Sequence, residues 1–178
     1  MRDELDKKLV AKYSLLFKDR YGNLPDLTKA WGFECGDGWF DIIDNLCFAL
    51  MSSYRRATVE LESATKYLGQ NELWTNERLE AAKTKLSDLE QQLPTVEQVK
   101  EKFGSLRFYV NKGTDADYGL IEFAENMSSC TCEVCGNKGT EYPLGWIKTL
   151  CRQHAMEKYG ETKLLDFEKK KAVLTSES

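Results

Sequence analysis

The chain has 178 residues, 42% of them hydrophobic, and a formal charge of −4. That is enough apolar material for one compact core, or a core with an appendage, and no apolar run approaches membrane-spanning length. The acidic balance argues against a protein that works by neutralising phosphates along a nucleic acid, so only a local basic patch would lead there.

The opening MRDELDKKLV is charged and amphipathic, unlike a signal peptide, which points to the cytosol. Residues 2–17 carry Leu5, Leu9, Val10, Tyr13, Leu16 and Phe17 at helical spacing, and Gly22 to Asp26 breaks that helix. A Gly-rich aromatic segment follows, Trp31 to Phe40, with Asp37 placed to cap or precede a helix that starts near Trp39. Tyr54, Ala57, Leu61, Ala64 and Leu68 step by three and four, as do Leu79, Ala82, Leu86, Leu89 and Leu93. Gly69-Gln-Asn71 separates the two series, Thr75 or Asn76 caps the second, and Pro94 ends it. The reading is an antiparallel helical hairpin packed along Leu61, Leu68, Leu79, Leu86 and Leu89, with self-association into a homo-oligomer as the alternative.

Thr95 to Lys102 reads as a short helix closed by Gly104, then 105–110 as a strand with Arg107 and Tyr109 on one face. Helical spacing returns over 115–127 through Leu120, Phe123 and Met127, and the stretch 142–149 supplies a short hairpin strand. His154 falls at a helix start, and the tail from Lys163 reads as weakly helical or frayed.

The strongest motif is Cys132-Glu-Val-Cys135, followed after fifteen residues by Cys151-Arg-Gln-His154. Two close pairs of soft ligands at this spacing suit tetrahedral Zn²⁺, with Gly136 supplying the positive φ that a knuckle turn needs. Four protein ligands fill the coordination shell, so the expected zinc is structural. Cys35 and Cys47 read as core thiols, while Cys130 remains a competing ligand. The single histidine is spent on this site, which removes the usual HNH nuclease, catalytic triad and Cys–His pair. The zinc-deaminase signature and the phosphate-binding Gly-rich loop are also missing from the sequence. Asp37, Asp41 and Asp44 leave a carboxylate–metal hydrolase open, against a solvated helix face.

Three stretches, WGFECGDGWFDIID at 31–44, VKEKFGSLRFYVNKGTDADY at 99–118 and CTCEVCGNKG with GWIKTLCRQHA at 130–155, resemble a family of small proteins encoded by tailed bacteriophages and prophages. The resemblance covers about residues 1–50 and 95–155, and it implies that the hairpin is an insertion of variable length. The expected fold class is therefore α+β, mostly helical, with a small β element and a C-terminal treble-clef-like zinc module. The expected divisions are a core of 1–50 and 94–128, a hairpin at 51–93, a zinc module at 129–160 and a tail at 161–178. The resemblance implies a phage accessory protein in the host bacterial cytoplasm, acting in counter-defence or host takeover. Trp31, Glu34, Asp37, Trp39, Lys102, Arg107 and Tyr109 are the candidate recognition residues, because stacking, basic and acceptor groups interleave there. The expectation is a non-enzymatic protein that sequesters a nucleotide-type signal or a host defence protein. The alternative is a zinc-containing nucleic-acid-associated regulator, with a basic face joining Lys138, Lys148, Arg152 and Lys169 to Lys171.

Overall fold

The computed structural model describes residues 1–18, 20 and 32–176. Trp31 and the break at 22–26 lie outside these residues. The described chain runs α1 (Asp3–Lys12), β1 (Phe33–Glu34), a 3-10 turn (Asp37–Trp39), α2 (Phe40–Leu50), α3 (Ser52–Tyr67) and α4 (Asn76–Gln92). Next come β2 (Val96–Lys102), β3 (Ser105–Val110), α5 (Asp115–Ser128), β4 (Thr140–Tyr142), β5 (Lys148–Leu150), α6 (Arg152–Tyr159) and α7 (Glu161–Ser176). Mixed helix and small sheets make this an α+β chain, and no described helix is long and apolar enough to cross a membrane.

The main core lies between α1, α2 and α5 and the inner face of a three-stranded sheet ordered β1-β2-β3. Phe33, Val99 and Phe108 stand in register across it and are buried. Trp39, Ile43, Leu46 and Cys47 fill the space beneath. Burial pushes the Cys35 thiol up to about 12 and Cys47 further, so both remain neutral core groups. Helix α1 is shorter than its apolar pattern, since the chain turns after Lys12 while Tyr13, Leu16 and Phe17 stay buried.

The segment 96–102 is a central strand, not the expected helix. A bulge between Val96 and Gln98 resets the side-chain alternation, so Val96 and Val99 both face inward at a helix-like spacing of three. Strand partners on both sides override the helix preference of its Glu, Gln and Lys residues. Phe103 and Gly104, both at positive φ, make the two-residue turn into β3. The outer edge of β3 is not left open. Ser128 Oγ accepts from the Leu106 amide (2.7 Å) and Glu125 Oε1 from the Phe108 amide (2.9 Å), so α5 covers the edge. Thr114 and Asp117 start α5 with a reciprocal capping box.

Helices α3 and α4 form the expected hairpin, and Thr75 caps α4 by accepting from the Arg78 amide. The fully buried positions are Ala57, Ala64 and Ala82. The arms approach closely through small residues, and the leucines lie partly open at the flanks. Leu68, expected in the seam, is exposed.

A second, smaller core gathers Cys132, Tyr142, Leu150, Ala155 and Leu164. The last of these belongs to α7, so the expected tail is a helix that packs on this module. Phe167 meets the Tyr142 ring at 5.3 Å, and Arg152 pairs with Glu168 at 3.1 Å.

Candidate metal centre

The loop between α5 and β4 folds back on itself. The Cys132 amide donates to Asn137 O (2.7 Å), the Gly136 amide to Cys132 O (2.9 Å), and the Gly139 amide to Cys130 O (2.7 Å). Gly136 takes φ 78°, the left-handed conformation that closes the turn without a Cβ penalty. Cys151 precedes the first residue of α6, and His154 sits in its first turn. The β4–β5 hairpin connects the two ligand pairs.

The Sγ atoms of Cys132, Cys135 and Cys151 and a ring nitrogen of His154 all lie within 4.8 Å of one another. Cys135 Sγ is 3.8 Å from Cys151 Sγ, while His154 Nδ1 is 3.4 Å from Cys132 Sγ and 3.1 Å from Cys151 Sγ. A tetrahedral cation with metal–sulfur bonds of about 2.3 Å requires sulfur–sulfur edges of about 3.8 Å and sulfur–nitrogen edges of about 3.6 Å. The donor set fits. Among the described residues it is the only group of three or more His, Cys, Asp or Glu side chains placed to share an ion. Nδ1 faces the thiols, and Nε2 lies 4.0 Å from the Glu157 carboxylate. Cys130 stands apart, with its thiol against Met127 O.

The electrostatics of the thiols also favour a cation. Burial opposes ionisation of Cys132, yet the amides of Cys151, Cys135 and Val134 hold it below the ordinary thiol value. Cys135 is pushed up, first by burial and then by the thiols of Cys132 and Cys151 beside it. Three clustered thiolates repel one another, and a shared divalent ion removes that conflict.

The glycine-rich segment rests directly on this knuckle. The Gly38 amide donates to Glu133 O (2.8 Å), the Gly36 amide to Glu133 Oε1 (3.1 Å), and Trp39 Nε1 to Thr131 O (2.9 Å). A Cβ on Gly36 would meet Glu133 O at 2.1 Å, and one on Gly38 would meet Cys132 O at 2.2 Å. These two glycines permit backbone contact with the metal loop. Trp39 is fully buried and offers no face to a ligand, which corrects its reading as a stacking residue. Asp37 is likewise engaged: its carboxylate accepts from the Arg2 amide (2.7 Å) and pairs with the Arg2 guanidinium (2.5 Å), which together hold it below the usual carboxylate range. Asp44 is bound by Lys12 (2.8 Å) and the Tyr13 hydroxyl (2.9 Å), so the three aspartates do not converge.

A polar bridge that sequence reasoning missed joins the sheet to the metal loop. Lys148 Nζ donates to Glu101 Oε2 (2.7 Å) and Glu133 Oε2 (2.8 Å), Trp146 Nε1 also reaches Glu101 Oε2 (3.1 Å), and Thr149 Oγ1 donates to Gly104 O (2.6 Å). Burial alone would lower Lys148, but its two carboxylates raise it above the ordinary lysine value. Burial alone would raise Glu101, but Lys148, the Gly104 amide and Trp146 hold it below the carboxylate range. Glu133 occupies the second position of the Cys-x-x-Cys motif, which is the one local signal that marked it.

Of the remaining recognition candidates, Glu34, Arg107 and Tyr109 share the outer face of the sheet. Glu34 stands in register with Lys100 and Lys100 with Arg107, while Gln98 lies opposite Tyr109 and donates to Glu34 Oε2 (3.2 Å). Lys102 lies at the end of the same strand, over the Phe103 ring (5.5 Å). Arg107 Nη1 is anchored by Ser105 Oγ (2.8 Å) and Leu106 O (2.7 Å), with Glu125 at 3.7 Å. Lys100 Nζ approaches the half-open Tyr109 ring at 5.3 Å. Comparison with protein-family models, with curated proteins and with solved structures gives no match.

Proposed function

We propose that this protein is a non-catalytic binding protein: a phage accessory factor for counter-defence or host takeover, built on a structural zinc module of treble-clef type. The order of the knuckle, the β4–β5 hairpin and α6 supports the treble-clef reading, with Cys132 and Cys135 on the knuckle and Cys151 and His154 at the start of α6. Zinc suits three thiolates and an imidazole, and four protein ligands leave no position for a reacting water. The metal would hold the knuckle on which Gly36, Gly38 and Trp39 rest.

The observation that carries the binding reading is the row Glu34–Lys100–Arg107 beside Tyr109 on the outer sheet face. Cations flank an aromatic ring there, and Arg107 is already anchored on one side. That chemistry suits a small ligand with both a planar base and a phosphate, a nucleotide-type signal, with Tyr109 stacking and Lys100, Lys102 and Arg107 meeting the anion. A long nucleic acid fits less well, because Lys148 and Arg152, two residues of the basic face such a partner would use, are committed to internal ion pairs.

Titration of the metal-loaded protein with a panel of mono-, di- and cyclic nucleotides tests this reading, alongside mass spectrometry of small molecules released from protein purified from a bacterial host. Arg107→Ala and Tyr109→Ala should each weaken binding about tenfold, the loss of one ion pair or one stacked base, with metal content unchanged. Absence of any binding, or turnover of the nucleotide, would overturn it.

A further inference from the structure

The four metal ligands are not equally covered. Cys132 is fully buried, whereas Cys151 is partly exposed and Cys135 is exposed. One edge of the cluster, Cys135 to Cys151, therefore opens to solvent with its sulfurs 3.8 Å apart. The thiols outside the cluster differ from this pair. Cys35 and Cys47 are buried in the main core, and Cys130 is exposed but stands alone, with its thiol against Met127 O.

Hydrogen bonds to sulfur sharpen the difference within the cluster. Cys132 accepts from the amides of Cys151, Cys135 and Val134, while Cys135 accepts from that of Asn137. Amides that bond to sulfur stabilise its charge and blunt its attack, and burial keeps oxidants away from Cys132 in addition. An accessible thiolate beside a second thiolate able to resolve it is the arrangement that oxidises reversibly. Cys151, at the N-cap position of α6, supplies that second group. Closing the gap between the two sulfurs to a disulfide bond of about 2.0 Å asks for a shift of less than about 2 Å.

We infer that the Cys135–Cys151 edge is a peroxide-sensitive switch that opens the metal module. It rests on the reading of the cluster as a structural zinc site. The Cys135 thiolate attacks one oxygen of hydrogen peroxide, the O–O bond breaks, and the departing hydroxide takes a proton from solvent to become water. The Cys151 thiolate then attacks the sulfenic sulfur. The S–S bond forms as the sulfur–oxygen bond breaks, and the oxygen leaves, protonated, as a second water. Two electrons have passed from two thiolates to one peroxide. A disulfide is a poor donor, so the site keeps only Cys132 and His154 and loses its hold on the ion. The knuckle is then free to leave Gly36, Gly38 and Trp39, which rest on it. An exposed disulfide of this kind is open to reduction by small thiols, which restores the four ligands.

The test treats the full zinc-loaded chain with hydrogen peroxide, follows zinc release with a chromogenic chelator, and maps disulfides by mass spectrometry without reduction. About one zinc per chain should be released as the Cys135–Cys151 bridge appears, and dithiothreitol with added zinc should reverse both. Cys130→Ser, outside the cluster, should change the release rate by less than about twofold. In the wild type, Cys130 serves as an exposed thiol that reports how much oxidant has acted. Zinc retained after Cys130 is oxidised would overturn the switch. So would a bridge containing Cys132 or Cys130, release that dithiothreitol and zinc do not reverse, or a tenfold slowing by Cys130→Ser. Protein that never takes up stoichiometric zinc would overturn the zinc reading itself and the switch with it, an outcome distinct from zinc that is bound and not released.

Discussion

In the hairpin of α3 and α4, each arm rests on the other. Its buried seam is three alanines, an ion pair between Lys85 and Glu60 links the arms at 2.8 Å, and the tip closes through Tyr67 against Trp74. In the metal module, the short-range bonds of the knuckle are joined by contacts that reach across the chain. Residues 132 and 154 share a cluster, Gly38 touches Cys132, and Lys148 holds Glu101. The first region is helix pattern repeated, so its stability is local and spread over many small contacts. The second concentrates stability in one ion and a few polar bonds. Losing one part should therefore erode the hairpin and collapse the module.

The sharpest way to break that contrast is to remove the metal. Chelation, or Cys151→Ser, should unfold the 130–160 region outright, because the roughly 10–16 kcal/mol of apparent binding energy in such sites is also folding energy. Trp39 should report this directly, since its Nε1 bond to Thr131 O and its burial depend on the knuckle. Tryptophan emission should shift to the red as stoichiometric metal is lost, while far-ultraviolet helicity from the hairpin persists. A folded knuckle in metal-free protein would remove the distinction between the two regions.

Two glycine substitutions sharpen it next. At Gly38 an alanine Cβ would lie 2.2 Å from Cys132 O and 2.4 Å from the Gly136 amide, both backbone atoms that cannot rotate away. Gly38→Ala should cost about 1–3 kcal/mol or more and lower metal affinity, as overpacking forces the loop off the knuckle. At Gly69 the hairpin tip has open space, and only φ 73° opposes a side chain. Gly69→Ala should cost about 1 kcal/mol and leave metal binding untouched. Chemical denaturation with metal titration of both variants compares them.

The sequence made both regions legible, by different signals. Ligand spacing named the four residues of the metal cluster, and apolar periodicity named both arms of the hairpin. Periodicity failed where tertiary partners decide the outcome. The bulge in β2 gives Val96 and Val99 a helical spacing inside a strand. Ala57, Ala64 and Ala82 take the seam that the leucines seemed to claim, because close helix approach favours the smaller residue. The segment 36–39 was readable as Gly-rich and aromatic, but a glycine needed for close approach looks the same in sequence as one needed for ligand access. Only its contact with Cys132 and Glu133 separates the two. The Glu101–Lys148–Glu133 bridge joins residues 15 to 47 positions apart and leaves no periodic trace.

That bridge supplies a pH-dependent test of how the module is tied to the sheet. Glu101 has its folded pKa held below the ordinary 4.5. Its contribution is therefore present above that value and fades as pH falls through the lower folded pKa. Lys148 is raised above 10.5, so its contribution holds below that value and is lost only as pH climbs past it. Glu101→Gln should destabilise by about 1 kcal/mol at neutral pH, a modest figure because solvent reaches the bridge beside exposed Trp146. The gap between variant and wild type should be constant from about pH 6 to 10 and close below about 4.5. Denaturation across pH measures it, and a gap that persists in acid would show that shape and not charge joins the two regions.

The smallest effect on the core is expected from removing the hairpin. Met51 and Leu93 are buried in the main core and Tyr54 packs on it, so the base of the hairpin belongs to the body. Tyr54 and Glu90 lie close enough for the glutamate's charge to raise the tyrosine's pKa, after burial has raised it first. A short Gly–Ser linker can therefore replace 55–89 without stretching the chain. The removed arms carry their buried alanines and their ion pair with them and leave β2 and the knuckle with the same partners, while α2 loses the Arg55 guanidinium that lies over the exposed Phe48 ring (3.8 Å). The shortened protein should keep stoichiometric metal, and its thermal midpoint should move by no more than about 4 °C, the scale of a 1 kcal/mol change in a domain of this size. A larger fall, with metal lost, would mean that the hairpin stabilises the body through its base and that the two regions are not independent.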